Sequence, residues 1–179
     1  MLHHTFKPKA HRIPQKKGVF ASIGKNCSIM NRTVPLYANL IKLGNNVRLA
    51  SKVTFITHDV THVMLNHNPN VSKKGFKEKI GCIEIQDNVF VGAGSTILYG
   101  VLIGSNVIIG AGSLVNKDVP PNSVVAGVPA RVIGSFDDYL SKRAGENSYP
   151  DELSPSGEQL SDAAAKWCWK EFYKAHGKY

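Results

Sequence analysis

The sequence predicts an all-β coil of short parallel strands, and three regularities predict it. From Ile85 onward an aliphatic residue recurs every six positions: Ile85, Val91, Ile97, Ile103, Ile109 and Val115. Four positions after each comes a small or β-branched residue: Val89, Ser95, Val101, Val107 and Ser113. Glycine follows the aliphatic at Gly92, Gly104 and Gly110, and Asn88 and Asn106 hold the fourth place of their hexapeptides. A helical stripe needs spacings of three and four, and an isolated strand alternates with period two and then stops, so neither gives this register. One residue per hexapeptide is expected to point at the axis. Gly or Asn is expected to make the corner, since both accept positive φ cheaply. Three hexapeptides then close one triangular turn, and stacked turns share backbone hydrogen bonds at the parallel-strand spacing of roughly 4.8 Å.

Taken along the chain, residues 1–18 are a basic segment with Lys7, Lys9, Arg12, Lys16 and Lys17 and no apolar stretch of the kind a secretory signal carries. The coil is expected over residues 19–133. It opens sparsely with Ile23, Cys27 and Ile29 and continues through Leu43, Val47, Leu49, Val53 and Phe55. Between Phe55 and Ile80 the repeat lapses into a polar stretch with Pro69, Gly75 and three histidines, so a loop over 57–80 leaves the column there. Pro120 and Pro121 are expected to end the ladder, because proline lacks the N–H that a ladder bond needs. Residues 134–179 change character. SFDDYLSKRAG suits a short helix, and a cap-like Ser156 precedes a stretch with Leu160, Ala164, Trp167, Cys168 and Phe172 on one helical face. That helix is expected to pack on the column or on a neighbour.

Composition bounds the function. In 179 residues, 42% are hydrophobic and the net charge is +9. That is enough for one domain with a core, and no apolar run reaches the ~18 residues of a membrane span. The expected compartment is the cytoplasm. The positive charge permits an anionic partner of several kinds, but no aromatic stripe accompanies the basic residues, so nucleic acid is not expected. Cys27, Cys82 and Cys168 form no CxxC pair and no even-numbered framework, so neither a disulfide scaffold nor a zinc site is expected.

The hexapeptides IGSNVI and IGAGSL, the closing stretch VNKDVPPNSVVAGVPARVI and the upstream FITHD together resemble the hexapeptide-repeat acyltransferases, in particular the galactoside/maltose sugar O-acetyltransferase branch. The resemblance runs from about Ile23 to Ile133. It implies a left-handed parallel β-helix with a projecting loop, a homotrimer, and acetyl-CoA as co-substrate bound between subunits, with no metal. His58 of FITHD matches the family's catalytic histidine. Ala93 and Ala111 match positions whose backbone lines the pantetheine arm of CoA, Asn116 and Lys117 match residues at its far end, and Arg131 matches a basic residue of the closing motif. Asn116 stands where a threonine is common, and Gly134 stands where the galactoside enzymes place an arginine. Asn39 in YANL resembles an acceptor-binding stretch.

The same residues make chemical sense. Transfer of acetyl to a hydroxyl needs a base, and neutral histidine has the pKa for it. Ala93 and Ala111 are 18 residues apart, three hexapeptides, so they fall on one face of successive coils, each flanked by glycines that let a ligand approach the backbone. Lys117 and Arg131 offer a point charge and a fork for phosphates. No cysteine is placed for a covalent acetyl-enzyme. Asp59 could orient a histidine, as could a backbone carbonyl, and His62 is the second candidate for the base.

Three other functions are open to such a coil. A zinc carbonic anhydrase of the gamma class needs histidines from adjacent rungs, whereas His58, His62 and His67 all lie in one stretch. N-acetylation of an amino sugar or of a xenobiotic is the second, and a non-enzymatic scaffold the third. The expected reaction is acetyl-CoA-dependent acetylation of a hydroxyl on a sugar or polysaccharide precursor.

Overall fold

The computed structural model describes residues 18–30, 34–146, 149–155 and 160–178, so most of the basic N-terminal segment and Ser156 lie outside the described residues. The chain divides into two compact units, residues 10–141 and a second containing 142–179.

In the first unit the chain visits three sheets in rotation. The first holds β1 (Ser22–Ile23), β3 (Ile41–Leu43), β8 (Ile83–Ile85) and β11 (Val101–Ile103). The second holds β2 (Ser28–Ile29), β4 (Arg48–Leu49), β9 (Val89–Val91), β12 (Val107–Ile109) and β14 (Ser123–Ala126). The third holds β5 (Thr54–Ile56), β10 (Thr96–Leu98) and β13 (Leu114–Val115). All pairings among these strands are parallel. Registers such as Val89↔Val107 and Thr96↔Leu114 advance by 18 residues, the three hexapeptides expected of one turn.

Each predicted interior aliphatic is at most 1% exposed, from Ile85 to Val115. The expectation of one inward residue per hexapeptide is too few, however. Val89 and Val91 are both buried while Phe90 between them is out, and Ser95, Val101, Val107 and Ser113 are inward as well. Each short strand keeps the period of two that pleating imposes, and only the corners break it. Ser95 and Ser113 satisfy their buried hydroxyls by donating to the Gly110 carbonyl, at 3.0 Å and 2.6 Å.

Corners divide the work between Asn and Gly. Asn26, Asn46, Asn88, Asn106 and Asn122 all take φ between 54° and 58°, and their side-chain amides bond in a continuous column from Asn26 to Asn122 at 2.8 to 3.1 Å. Gly92, Gly104 and Gly110 do not have positive φ, which corrects the sequence reading of these three. They stand where the next coil passes too close for a side chain: a Cβ on Gly104 would lie 2.6 Å from the Pro121 nitrogen. The neighbouring Gly94, Gly100 and Gly112 supply the left-handed turns.

Pro120 and Pro121 do not end the ladder. They occupy a corner, where no strand bond is required, and β14 follows them in register with β12. The coil ends instead at β15 (Arg131–Ser135), which turns back antiparallel on β14. Then comes α2 (Phe136–Ala144), its first turn capped by the Ser135 hydroxyl accepting from the Asp138 N–H.

The loop over 57–80 carries its own structure. It runs β6 (His58–Asp59), α1 (Thr61–His67) and β7 (Lys79–Ile80), and β6 and β7 close it at the base as an antiparallel pair. In the second unit, α3 (Asp162–Ala175) is capped by Ser161, whose hydroxyl accepts from the Ala164 N–H. Ala164 is buried, and Cys168 and Phe172 of the expected apolar face are exposed. No helix among the described residues is long and apolar enough to cross a membrane.

Candidate active site

The third sheet sets the site, because three successive strands end at one edge. Ile56 of β5 pairs with Leu98 of β10, and Ile97 of β10 pairs with Val115 of β13. The residues that follow these strands, Thr57–His58, Tyr99–Gly100 and Asn116–Lys117, therefore leave the sheet one above another. At the rung spacing, His58 and Lys117 are roughly 10 Å apart along the axis.

His58 is half-buried, where the coil gives way to the loop. Its ring meets the edge of the Tyr37 ring at a centroid distance of 5.1 Å and an interplanar angle of 71°. Nδ1 lies 3.5 Å from the Thr57 hydroxyl. Tyr37 is itself in the left-handed region, with φ of 53°, and its hydroxyl faces the Glu78 carboxylate at 3.3 and 3.4 Å. The charge of Glu78, helped by partial desolvation and the hydrogen bond, raises the Tyr37 phenol above its ordinary value.

Asp59 does not orient His58. One of its oxygens accepts from the Thr61 hydroxyl at 2.6 Å and the Thr61 N–H at 3.2 Å; the other accepts from the Tyr99 hydroxyl at 2.6 Å. The carboxylate thus starts α1 on one side and ties the loop to the coil on the other. His62 lies in α1, its Nδ1 buried without a hydrogen-bond partner.

Two rungs above His58 a cleft of about 240 Å³ opens, lined by residues 115–120 with Val125, Ala130, Arg131 and Val132. The structure thus brings Asn116 and Lys117, which follow β13, and Arg131, which opens β15, into the lining of one cleft. Arg131 fixes one arm of its guanidinium on the Ala130 carbonyl at 2.8 Å, and the Asp118 carboxylate accepts the Leu102 N–H at 2.8 Å. Ala93 and Ala111 stack as their spacing requires, the Gly112 N–H donating to the Ala93 carbonyl at 2.8 Å, and both are exposed. They sit at the opposite edge of the third sheet, where its strands begin. Within one chain the alanine pair and the basic cleft are therefore separate. Among the described residues no group of three or more His, Cys, Asp or Glu is arranged to hold a metal.

Comparison with known proteins gives the lineage. The family described as bacterial transferase hexapeptide (six repeats) matches residues 83–117. The galactoside O-acetyltransferase of Lactococcus lactis is 35% identical over 148 residues, covering 68% of this chain and 66% of the relative. That of Escherichia coli K12 is 37% identical over 131 residues, covering 67% and 59%. The crystal structure of a maltose O-acetyltransferase from Clostridium difficile 630 shares 33% identity and a TM-score of 0.51, covering 65% of this chain and 70% of that one. The chain belongs to the hexapeptide-repeat acetyltransferases. It spans less than two thirds of the two galactoside enzymes.

Several residues of this hexapeptide-repeat acetyltransferase site escaped the sequence reading. Tyr37 comes from a turn some twenty positions before His58, and Tyr99 from the next coil. Neither has a local signature. The Asp59-Val60-Thr61 spacing could have flagged a helix start, since a carboxylate two residues ahead of a hydroxyl is a turn signal.

The Asp59 contacts have a measurable consequence in this hexapeptide-repeat acetyltransferase. Hydrogen bonds from Thr61, then from Tyr99, lower the carboxyl to about 2 from its ordinary 3.8. The stabilisation is complete above about pH 4, where the unfolded carboxylate is also ionised, and is lost as pH falls towards 2. Replacing Tyr99 by Phe is expected to move the Asp59 midpoint up towards the ordinary value in a carbon-detected NMR titration. An unmoved midpoint would mean that Tyr99 does not hold the carboxylate.

Proposed function

We propose that this chain transfers an acetyl group from acetyl-CoA to a hydroxyl of a sugar or polysaccharide precursor, with His58 as general base. The observation that carries it is the shared edge of the third sheet: a half-buried histidine at its lowest rung and a cleft holding Asn116, Lys117 and Arg131 two rungs above. Their chemistry fits the donor, a neutral base for the reacting end and fixed positive charge for a diphosphate. The galactoside and maltose specificities in the relatives' names support a sugar acceptor. So does the Tyr37 ring beside His58 with Glu78 behind it, an apolar face and a hydrogen-bonding carboxylate of the sort a saccharide uses.

Acetyl-CoA supplies an acyl group activated as a thioester. His58 accepts the proton of the acceptor hydroxyl as its oxygen attacks the acetyl carbonyl, and returns that proton to the departing sulfur. Backbone N–H groups at the loop base face the developing oxyanion. Transfer is direct, through a ternary complex: Cys27 donates to the Gly44 carbonyl at 3.1 Å, Cys82 follows the loop, between β7 and β8, with its carbonyl on the Gly100 N–H, and Cys168 lies in α3. The coil is left-handed and the protein a homotrimer, readings that rest on the family. The separation of the alanine pair from the cleft within one chain supports a donor site between subunits, one subunit giving the Ala93–Ala111 edge and its neighbour the basic cleft.

The test is release of free thiol from acetyl-CoA across a panel of sugars and sugar nucleotides. Lys117→Ala and Arg131→Ala are each expected to raise KM for acetyl-CoA about tenfold with little change in kcat, because contacts to the phosphates are the same in ground and transition states. An unchanged KM in both variants and in the double variant would remove these residues from the site. Thiol release with none of the acceptors would defeat the sugar reading.

A further inference from the structure

We propose that Thr57 is a positioning residue whose hydroxyl fixes the ring tautomer of His58, so that Nδ1 carries the hydrogen and Nε2 is the atom that takes the acceptor's proton. This rests on the reading of His58 as the base, and specifies how it is prepared. Thr57 is 1% exposed, and its Oγ1 lies 2.7 Å from the Leu36 carbonyl oxygen. A hydroxyl has one hydrogen, and a carbonyl has none to give. The Thr57 hydrogen is therefore committed to Leu36, and only lone pairs remain for its second neighbour, Nδ1 of His58 at 3.5 Å. Nδ1 meets an acceptor, and in that contact it is the donor. Neutral imidazole has one N–H, so Nε2 is left with its lone pair free. The contact is long, as catalytic hydrogen bonds commonly are before substrate binds.

Two further features bear this out. The carboxylate adjacent in sequence, Asp59, has both oxygens engaged by Thr61 and Tyr99, so the usual orienting group for a catalytic histidine is occupied elsewhere. And Leu36 immediately precedes Tyr37, whose ring packs edge-on to His58. One short segment thus supplies the carbonyl that aims the Thr57 hydroxyl and the surface that holds the imidazole plane. A hydroxyl and a carbonyl in series do here what a carboxylate does in a triad.

The experiment is long-range proton–nitrogen NMR of the full chain labelled with nitrogen-15 at histidine, at a pH where imidazole is neutral, with the His58 signals identified by their loss in His58→Gln. The expected pattern is a protonated Nδ1 and a bare Nε2, the reverse of the tautomer that free histidine prefers. Thr57→Val keeps the size and removes the acceptor. It is expected to shift His58 towards the other tautomer and to lower kcat about tenfold at unchanged KM for acetyl-CoA, while Thr57→Ser keeps the wild-type pattern and kcat. A bare Nδ1 in the wild type, or a tautomer unmoved in Thr57→Val, overturns the proposal. Should Thr57→Val fail to fold, the wild-type spectrum and Thr57→Ser decide it alone. Full activity in His58→Ala would instead defeat the base reading, an outcome separate from the spectrum.

Discussion

His58→Ala is expected to lower kcat by about 10²–10⁴-fold, the range that general-base assistance supplies, with KM for acetyl-CoA nearly unchanged. The reason for the split lies in where the groups stand. The cleft with Lys117 and Arg131 is two rungs away, on strands that the loop does not build. Nor does the fold depend on the imidazole, which rests on the edge of Tyr37 and a long contact with Thr57 at the margin of the coil. The variant should therefore keep its melting temperature and its oligomeric mass by light scattering. His62→Ala is expected to lose far less activity, since His62 belongs to α1 and not to the shared edge of the third sheet. Near-normal kcat in His58→Ala would sink the mechanism, as would parallel lines in a two-substrate initial-rate plot, which would reveal an acetyl-enzyme.

Gly92→Ala is expected to destabilise the coil by about 3 kcal/mol, the upper end of the cost of overpacking. A Cβ at this position would lie 2.7 Å from the Ala111 Cα and closer still to its nitrogen, and both are backbone atoms of the next coil. Flexible side chains can step aside. Here the obstacle is itself clamped, because the Gly92 N–H donates to Ile109 at 2.8 Å and the Gly112 N–H to Ala93 at 2.8 Å. Relief would require parting two rungs and weakening those bonds. Gly94→Ala, two residues on, makes the control. Its φ is +71° and nothing lies within 4 Å of the added methyl, so only the left-handed backbone is penalised, by about 1 kcal/mol. Urea unfolding of the two variants measures the difference. Equal losses would show that the coils yield at this corner. Because Gly92 adjoins Ala93, the same substitution should also weaken acetyl-CoA binding if the alanine edge takes the pantetheine arm.

The sequence by itself determined the coil. A six-residue register names its inward aliphatics, and eighteen residues bring Ala93 over Ala111, because in a solenoid each contact lies a fixed number of residues away and sequence distance converts directly into position. The same arithmetic made Asn88 and Asn106 corner residues, although the amide column from Asn26 to Asn122 that joins them shows only when the coils are stacked. His58 was legible through its resemblance to a family motif. Its surroundings were not. The loop after it interrupts the register, so its surroundings are settled by where chain segments of unrelated spacing meet: Tyr37 from upstream lies against the imidazole, and Tyr99 from the next coil holds the adjacent Asp59. Tertiary structure alone also decided how the coil ends. Proline removes an N–H wherever it occurs, but that matters only where a ladder bond was needed, and Pro120 and Pro121 fall at a corner; β15 closes the column by reversing direction on β14. Asp59 shows the same division. Its place beside the histidine suggested an orienting carboxylate, but the three-dimensional fold gave its oxygens to Thr61 and Tyr99, while the hydroxyl of Thr57 lies 3.5 Å from the His58 Nδ1.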